Sequence, residues 1–275
     1  KEIQIRKQMS NMKNQFVIFG NPVEHSKSPQ MQNAGLKHIN FDGNYKKHHL
    51  VDGNTIKDVF LQNNYMGANI TVPHKEDAFA NADEVRGLAK EIKAVNTYIN
   101  ENGKVVAYNT DAPGFLKAIE SFGTIKNVLL LGAGGTAKAI ALALKSKNIN
   151  VTVLNRSQGK LDFFKEHQIP CFSWENFEAE TYDLIVNSTS AGLKDEYLPC
   201  DKEILETVFK NAKFAFDCVY GKITPFLALA SENALEIKDG EDMLLFQGLL
   251  AFELFTNTKA DNSVIEAMRK GLKGE

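Results

Sequence analysis

The sequence predicts an α/β protein of two domains, one built on a mostly parallel mixed sheet and one Rossmann-like, with an active site in the cleft between them. Three observations predict this. Short apolar runs alternate with helical patterns from Phe16 onward. The alternation restarts at Lys126, after a helix opened by Asp111-Ala112-Pro113-Gly114. The restarted series begins with Leu129-Leu130-Leu131 running straight into Gly132-Ala133-Gly134-Gly135-Thr136-Ala137. Strand–helix alternation produces parallel strands joined by crossover helices. At 275 residues the chain is long enough for each domain to bury its own core.

The first series reads as strand Phe16–Phe19, helix Pro29–Ile39, strand Tyr45–Val51, helix Thr55–Asn63 and strand Ala68–Val72, followed by helical turns to Lys93. Two strand-like runs then flank Glu101-Asn102-Gly103, a hairpin signal. Asp111 is placed to cap the next helix, with Pro113 in its first turn, and the helix runs to Ser121. In the second series, strands fall near 127–131, 150–154, 169–172, 183–187 and 213–217. Asp239-Gly240-Glu241 caps a helix to about Asn257, and Ser263 caps another to about Leu272. In the former, Met243, Gln247, Leu250 and Leu254 share one face, so Gln247 is a polar group in an apolar stripe. It is either a glutamine satisfied by backbone or a side chain facing a cleft.

Residues 12–111 and 241–275 are expected to form one discontinuous domain and 112–240 the other. Residues 1–11 read as a tag or upstream remnant, with Met12 the natural start. A net charge of −2 leaves no electrostatic footprint for nucleic acid or an anionic membrane. No apolar run reaches the roughly 20 residues that span a bilayer. Cys171, Cys200 and Cys218 have no metal-ligand spacing, so no metal is expected. They fit reduced thiols in a cytoplasm better than a disulfide framework.

The glycine turn carries the clearest chemistry. Gly132 permits a tight turn, Gly134 lets main-chain N–H groups approach a pyrophosphate, and Ala137 fills the third small position, where helix and strand pack. The phosphates then meet a helix N-terminus, whose N–H groups and macrodipole favour anions. Short Gly-rich turns also begin helices that bind nothing, but here a strand precedes the turn and the next apolar run, Val151-Thr152-Val153-Leu154, ends in Asn155-Arg156-Ser157. An NAD site places a carboxylate there for the ribose 2′-hydroxyl. A guanidinium instead grips a 2′-phosphate, which makes NADP the favoured cofactor.

The first series supplies a polar inventory. Ser26-Lys27-Ser28-Pro29 offers two hydroxyls at a helix start, a cradle for a carboxylate or simple capping by Ser28. Asn69 and Thr71 share a face of one strand, and Lys75 emerges where it ends, a position where lysines are usually solvated. Ala94-Val95-Asn96-Thr97 and Tyr108-Asn109-Thr110-Asp111 end short apolar runs in amide, hydroxyl and carboxylate groups. Each segment alone is ordinary turn chemistry. Together they suit a small polyhydroxylated acid better than a hydrophobic ligand.

In order along the chain stand Ser-x-Ser-Pro at 26–29 with Asn33, Asn-x-Thr-x-Pro-x-Lys at 69–75, Ala-Val-Asn-Thr at 94–97, Asn-Thr-Asp-x-x-Gly-Phe at 109–115 and Gly-Ala-Gly-Gly at 132–135. Asn-Arg-Ser at 155–157, Asn-x-Thr-x-x-Gly at 187–192, Asp-x-x-Tyr at 217–220, Thr-Pro at 224–225 and Gln247 follow. In these motifs the chain resembles the shikimate dehydrogenases from about Met12 to Phe255. The resemblance implies NADPH-dependent reduction of 3-dehydroshikimate to shikimate in chorismate and aromatic amino-acid biosynthesis. It implies a cytoplasmic enzyme, monomeric or homodimeric, that binds small molecules and neither nucleic acid nor membrane. Lys75 and Asp111 then lie at the reacting oxygen. Ser26 and Ser28 hold the substrate carboxylate with Tyr220 nearby, and Asn69, Thr71, Asn96 and Gln247 bind the ring and its hydroxyls. The cofactor falls to Gly132, Ala133, Gly134, Gly135, Thr136, Ala137, Asn155, Arg156, Ser157, Lys160, Thr189, Val219, Gly240 and Met243. The chain departs from the family pattern at Tyr220-Gly221-Lys222, where Tyr-x-Pro is familiar, at Ser157 and at Leu193. A dual quinate/shikimate dehydrogenase and a non-catalytic ligand or nucleotide sensor are the competing readings. Asn155-Arg156 argues against NAD-using quinate enzymes, and Lys75 with Asp111 gives a pure binder no benefit.

Overall fold

The computed structural model describes residues 14–275, so the expected remnant 1–11 and the start at Met12 lie outside the described residues. The described chain divides into two compact units. One comprises the chain up to Thr110 together with Gly248–Glu275, and the other is Asp111–Gln247.

In the first unit, strands β1 (Asn14–Gly20), β2 (Gly43–His49), β3 (Gly67–Ile70), β4 (Glu84–Val85), β5 (Thr97–Glu101) and β6 (Lys104–Tyr108) form a sheet in the order β2-β1-β3-β5-β6-β4. β1 runs parallel to β2 and β3, whereas β5 is antiparallel to β3 and β6. The parallel part follows from the crossover helices Ser28–His38 and Ile56–Gln62. The antiparallel part follows from the β5–β6 hairpin, whose Asn102 and Gly103 both take positive φ, 56° and 89°. Val17, Phe19, Ile56, Phe60, Ala68 and Tyr98 pack one core beside the sheet. The helical turns expected to Lys93 are there as Lys75–Asn81 and Ala89–Ile92, with the short edge strand β4 between them. The final helix, Asn262–Lys273, is capped by Asp261, whose carboxylate accepts from Ser263 N and Val264 N, rather than by Ser263. Asp261 is the extended residue just before the helix, from which a carboxylate reaches both orphan N–H groups, whereas Ser263 is already its second residue.

In the second unit, β7 (Asn127–Leu131), β8 (Asn150–Asn155), β9 (Cys171–Ser173), β10 (Leu184–Asn187), β11 (Phe214–Asp217) and β12 (Glu236–Lys238) form an all-parallel sheet in the order β12-β11-β10-β7-β8-β9. This is the doubly wound order. It reverses direction between β7 and β10, the switch point where the carboxyl ends of two strands open a crevice. Leu129, Leu131, Ile185, Phe209, Phe226 and Leu227 belong to one apolar core of this unit. The helices Lys202–Phe209 and Pro225–Glu232 and the strand β12 have no counterpart in the expected elements. Asp111 is the first residue of the helix Asp111–Ile119 and is buried, rather than an external cap.

Candidate active site

In the first unit the polar side chains gather at the carboxyl ends of β1 and β3. Gly20 ends β1, and a Cβ there would come within 2.5 Å of Thr71 Cγ2, so the glycine makes room for Thr71. The β3 ladder stops at Ile70, but Thr71 N still donates to Phe19 O at 2.8 Å, which holds the residue beside β1. In the loop after β1, Ser26 and Ser28 are both buried, and Ser26 Oγ accepts from Ser28 N at 3.3 Å. Ser28 is the first residue of its helix, and the cap position belongs to Lys27, which forms no side-chain cap bond. Capping by Ser28 is therefore not what this serine does.

Asn69 and Asn96 anchor the centre of the group. Asn69 Oδ1 accepts from Tyr45 Oη at 2.7 Å, and its Nδ2 donates to Thr97 Oγ1 at 3.1 Å and Asn96 O at 3.2 Å. Burial pushes the Tyr45 hydroxyl well above its usual range, so it remains a donor. Asn96 Oδ1 accepts from Thr110 N at 2.8 Å, and its Nδ2 donates to Thr110 Oγ1 at 2.9 Å. The residue immediately before Asp111 is thus held at both its main chain and its hydroxyl. Lys75 opens the helix Lys75–Asn81 and is half-buried rather than fully solvated, and its carbonyl accepts from Val95 N at 2.9 Å, next to Asn96.

In the second unit, Gly132 follows β7 with φ at 108°, and a Cβ on it would lie 2.9 Å from both Ser188 Oγ and Thr189 Cγ2. Only glycine fits that turn against the end of β10. Gly134 caps the helix Gly135–Ser146, and a Cβ there would meet nothing within 4 Å, so this helix start faces open space. Ala133 and Ala137 are buried and Thr136 is half-buried. At the end of β8, Asn155 Nδ2 donates to Ser157 O at 2.8 Å, and Arg156, Ser157 and Lys160 are exposed. A tight glycine turn, an open helix start and an exposed guanidinium at the neighbouring strand end fit a phosphorylated dinucleotide.

The remaining positions stand at the ends of β10 to β12. Thr189 N and Oγ1 both donate to Asn187 Oδ1, at 2.9 and 2.7 Å, and Val219 N donates to Asp217 Oδ1 at 2.9 Å. Gly240 N donates to Val219 O at 3.0 Å, and a Cβ on Gly240 would lie 2.3 Å from Cys218 O. Tyr220 is half-buried in the same loop, with Lys222 exposed beyond it. In the helix Glu241–Thr256, Met243 is buried and Gln247 Nε2 donates to Leu244 O at 2.9 Å, so this amide is held in part by its own helix. The motif at 109–115 includes Gly114 without showing why; a Cβ on it would lie 2.7 Å from Gln247 N. That close approach brings the helix opened by Asp111 against Gln247. Cys200 is no nucleophile, because burial pushes its thiol up to about 12.

Family models match along most of this frame: the shikimate dehydrogenase substrate binding domain over residues 18–98, shikimate / quinate 5-dehydrogenase over 117–213 and the shikimate 5′-dehydrogenase C-terminal domain over 240–273. The chain is 44% identical over 256 residues to the shikimate dehydrogenase (NADP(+)) of Helicobacter hepaticus, covering 92% of this chain and 95% of that one. It belongs to the shikimate dehydrogenase family. An enzyme of the same name from Helicobacter pylori is 45% identical over 259 residues, covering 92% of this chain and 97% of its own. Among solved structures, shikimate 5-dehydrogenase of Thermus thermophilus in complex with NADP(H) and shikimate aligns with a TM-score of 0.82 at 33% identity, covering 94% of this chain and 98% of that one. The enzyme from Aquifex aeolicus aligns with a TM-score of 0.81, also at 33% identity, covering 93% of this chain and 97% of its own. The fold expected of a family member, two α/β units of which one is Rossmann-like, is the fold observed. Among the described residues no helix is long and apolar enough to cross a membrane.

Proposed function

We propose that this chain is an NADP-dependent shikimate dehydrogenase, interconverting 3-dehydroshikimate and shikimate. The observation that carries the reading is the family membership, with 44% identity across 92% of the chain to an enzyme of that name. The site residues support it. Gly132, Gly134 and the N-terminus of the helix Gly135–Ser146 would hold the pyrophosphate, and Asn155, Arg156, Ser157 and Lys160 the 2′-phosphate. Bound NADPH supplies the hydride that adds to the substrate carbonyl carbon.

The chain's own residues do the rest. Ser26 and Ser28, with Tyr220, hold the substrate carboxylate. Thr71, Asn69, Asn96 and Gln247 read the ring hydroxyls and so select which carbonyl reacts. The two asparagines come pre-set by their bonds to Tyr45, Thr97 and Thr110, which lowers the entropy lost on binding. As negative charge grows on the carbonyl oxygen, Lys75 and Asp111 stabilise it and supply the proton it takes. We place the protein in the cytoplasm, whose reducing conditions suit the free thiols of Cys171, Cys200 and Cys218.

The test is a spectrophotometric assay of NADP+ reduction with shikimate, beside quinate and NAD+ controls. Turnover with shikimate and NADP+, and little with either control, is expected. No turnover with shikimate at any cofactor, by protein that binds NADP+, would leave a non-catalytic sensor instead. Comparable rates on quinate would make it a dual enzyme.

A further inference from the structure

Three sequence motifs converge on a group to which neither the sequence nor the proposed chemistry gives a task. Asn187 ends β10, Asp217 ends β11, and Thr224 starts the helix Pro225–Glu232. All three are fully buried. Thr224 Oγ1 donates to Asp217 Oδ2 at 2.6 Å, a short charge-assisted bond, and itself accepts from Leu227 N at 3.2 Å. Asn187 Nδ2 donates to Asp217 Oδ1 at 3.1 Å, and Val219 N donates to the same oxygen at 2.9 Å. Asn187 Oδ1 in turn takes the N–H and the hydroxyl of Thr189. Glycine packing closes the group: Gly192 has φ at 82°, and a Cβ on it would lie 2.9 Å from Thr224 Cβ.

Full burial means that none of the three side chains can touch a ligand. What they fix can. The chain leaves β10 through Ser188-Thr189 and leaves β11 through Val219-Tyr220, on the far side of the switch point from Arg156 at the end of β8. A dinucleotide whose pyrophosphate lies on the helix start at Gly135 and whose 2′-phosphate lies toward β8 must send its other half over the ends of β10 and β11. Main-chain stability does not account for the carboxylate. Burial pushes the Asp217 carboxyl up to about 6, so an ion held here is disfavoured by its surroundings, and a neutral side chain would be easier to bury.

We propose that the Asn187–Asp217–Thr224 triad is a positioning device that sets Thr189 and Val219 for the nicotinamide half of the cofactor, leaving the adenosine half to Arg156. This rests on the NADP reading above. Asp217 draws the strand-end loop and the helix cap together, and Asn187 passes the constraint to Thr189.

The experiment compares NADP+ with 2′,5′-ADP, which carries the adenosine half alone, by calorimetry on the wild-type protein and on Asp217→Asn, Thr224→Val and Thr224→Ser. For Thr224→Val and Asp217→Asn, NADP+ affinity is expected to fall roughly 10-fold while 2′,5′-ADP affinity stays within about 2-fold. Thr224→Ser, which keeps the hydroxyl, should recover most of the lost affinity. In ligand-free protein the Val219 amide should exchange faster with solvent in Thr224→Val, by roughly 10-fold. Parallel weakening of both ligands, or no change in either by folded variants, overturns the proposal. The catalytic reading is judged separately on the wild-type protein. If that protein fails to oxidise shikimate but the binding split is present, the positioning role stands and the reaction assignment falls. If it turns over shikimate and the split is absent, the positioning role falls.

Discussion

Around the turn Gly132–Gly135 the second unit presents main chain, whereas around Lys75 the first unit presents side chains. The glycine turn works by absence: Gly132 avoids Ser188 and Thr189, and Gly134 leaves the helix start open. The polar group of the first unit works by saturation, with Asn69 and Asn96 each engaged at both ends of the amide. A main-chain site suits a cofactor whose pyrophosphate is recognised as an anion at a helix start. A side-chain site suits a substrate whose hydroxyls must be told apart, because discrimination comes from buried polar groups that a wrong ligand would leave unpaired. Generic recognition is therefore built from small residues, and specific recognition from fixed amides and hydroxyls.

The largest expected effect tests the side-chain half. Lys75→Met keeps an unbranched stem and removes the charge. It should fold, bind NADP+ normally and lose about 10²–10⁴-fold in kcat/KM for shikimate. Asp111→Asn should behave similarly, and if the pair acts as a unit the double variant loses much less than the product of the single losses. Wild-type turnover by folded Lys75→Met would return this lysine to ordinary surface chemistry.

Next in size are two variants that should each move one ligand only. Arg156→Ala removes a charge-assisted contact of about 1.5–3 kcal/mol, shifting the preference for NADP over NAD by roughly 10- to 100-fold with the KM for shikimate kept. The double variant Ser26→Ala with Ser28→Ala should raise the KM for shikimate strongly and leave NADP+ affinity nearly intact. Cross-effects of similar size in both would erase the division of labour between the units.

A smaller effect concerns stability. The folded carboxyl of Asp217 sits at about 6 against an ordinary value of 3.8. The folded state therefore holds this proton more tightly than the unfolded chain, so the group's contribution is fully present below about pH 4 and is lost as the pH rises through 6. Asp217→Asn lacks that loss. Relative to wild type it should gain on the order of 2 kcal/mol between pH 4 and pH 7, read as a difference in chemical denaturation at the two pH values. A pH-independent difference would mean that the carboxyl titrates in its ordinary range. The smallest expected effect separates two neighbouring residues at the last helix: Asp261→Ala should lose about 1 kcal/mol as the N-cap, and Ser263→Ala much less.

Much of the frame was readable without coordinates. The strand centres, the Asn102-Gly103 hairpin and the glycine turn are local signals, set by side-chain alternation and by residues that tolerate positive φ. Short or weakly patterned pieces were not readable. β12 is three residues long, β4 two, and the helix Pro225–Glu232 is nearly uniform in hydrophobicity, so none has a period to detect. Ser263 and Asp261 lie two residues apart, both able to cap, and only the extended backbone at Asp261 decides between them.

The sequence by itself determined the alternation of strands and helices, the glycine turn with Arg156 at the next strand end and the set of clustered polar motifs, because each depends on neighbours close along the chain. Only the tertiary structure decided which of those residues meet. Asn96 lies 14 positions from Thr110, Asn69 lies 24 from Tyr45, and Asn187 lies 30 from Asp217. Parallel strands joined by helices bring Asn69 beside Tyr45 and Asn187 beside Asp217, whereas Asn96 and Thr110 meet because they flank the two ends of the antiparallel β5–β6 hairpin. The same distance hides the reason for Gly114, whose need for a hydrogen in place of a methyl is set by the backbone of Gln247, far along the chain.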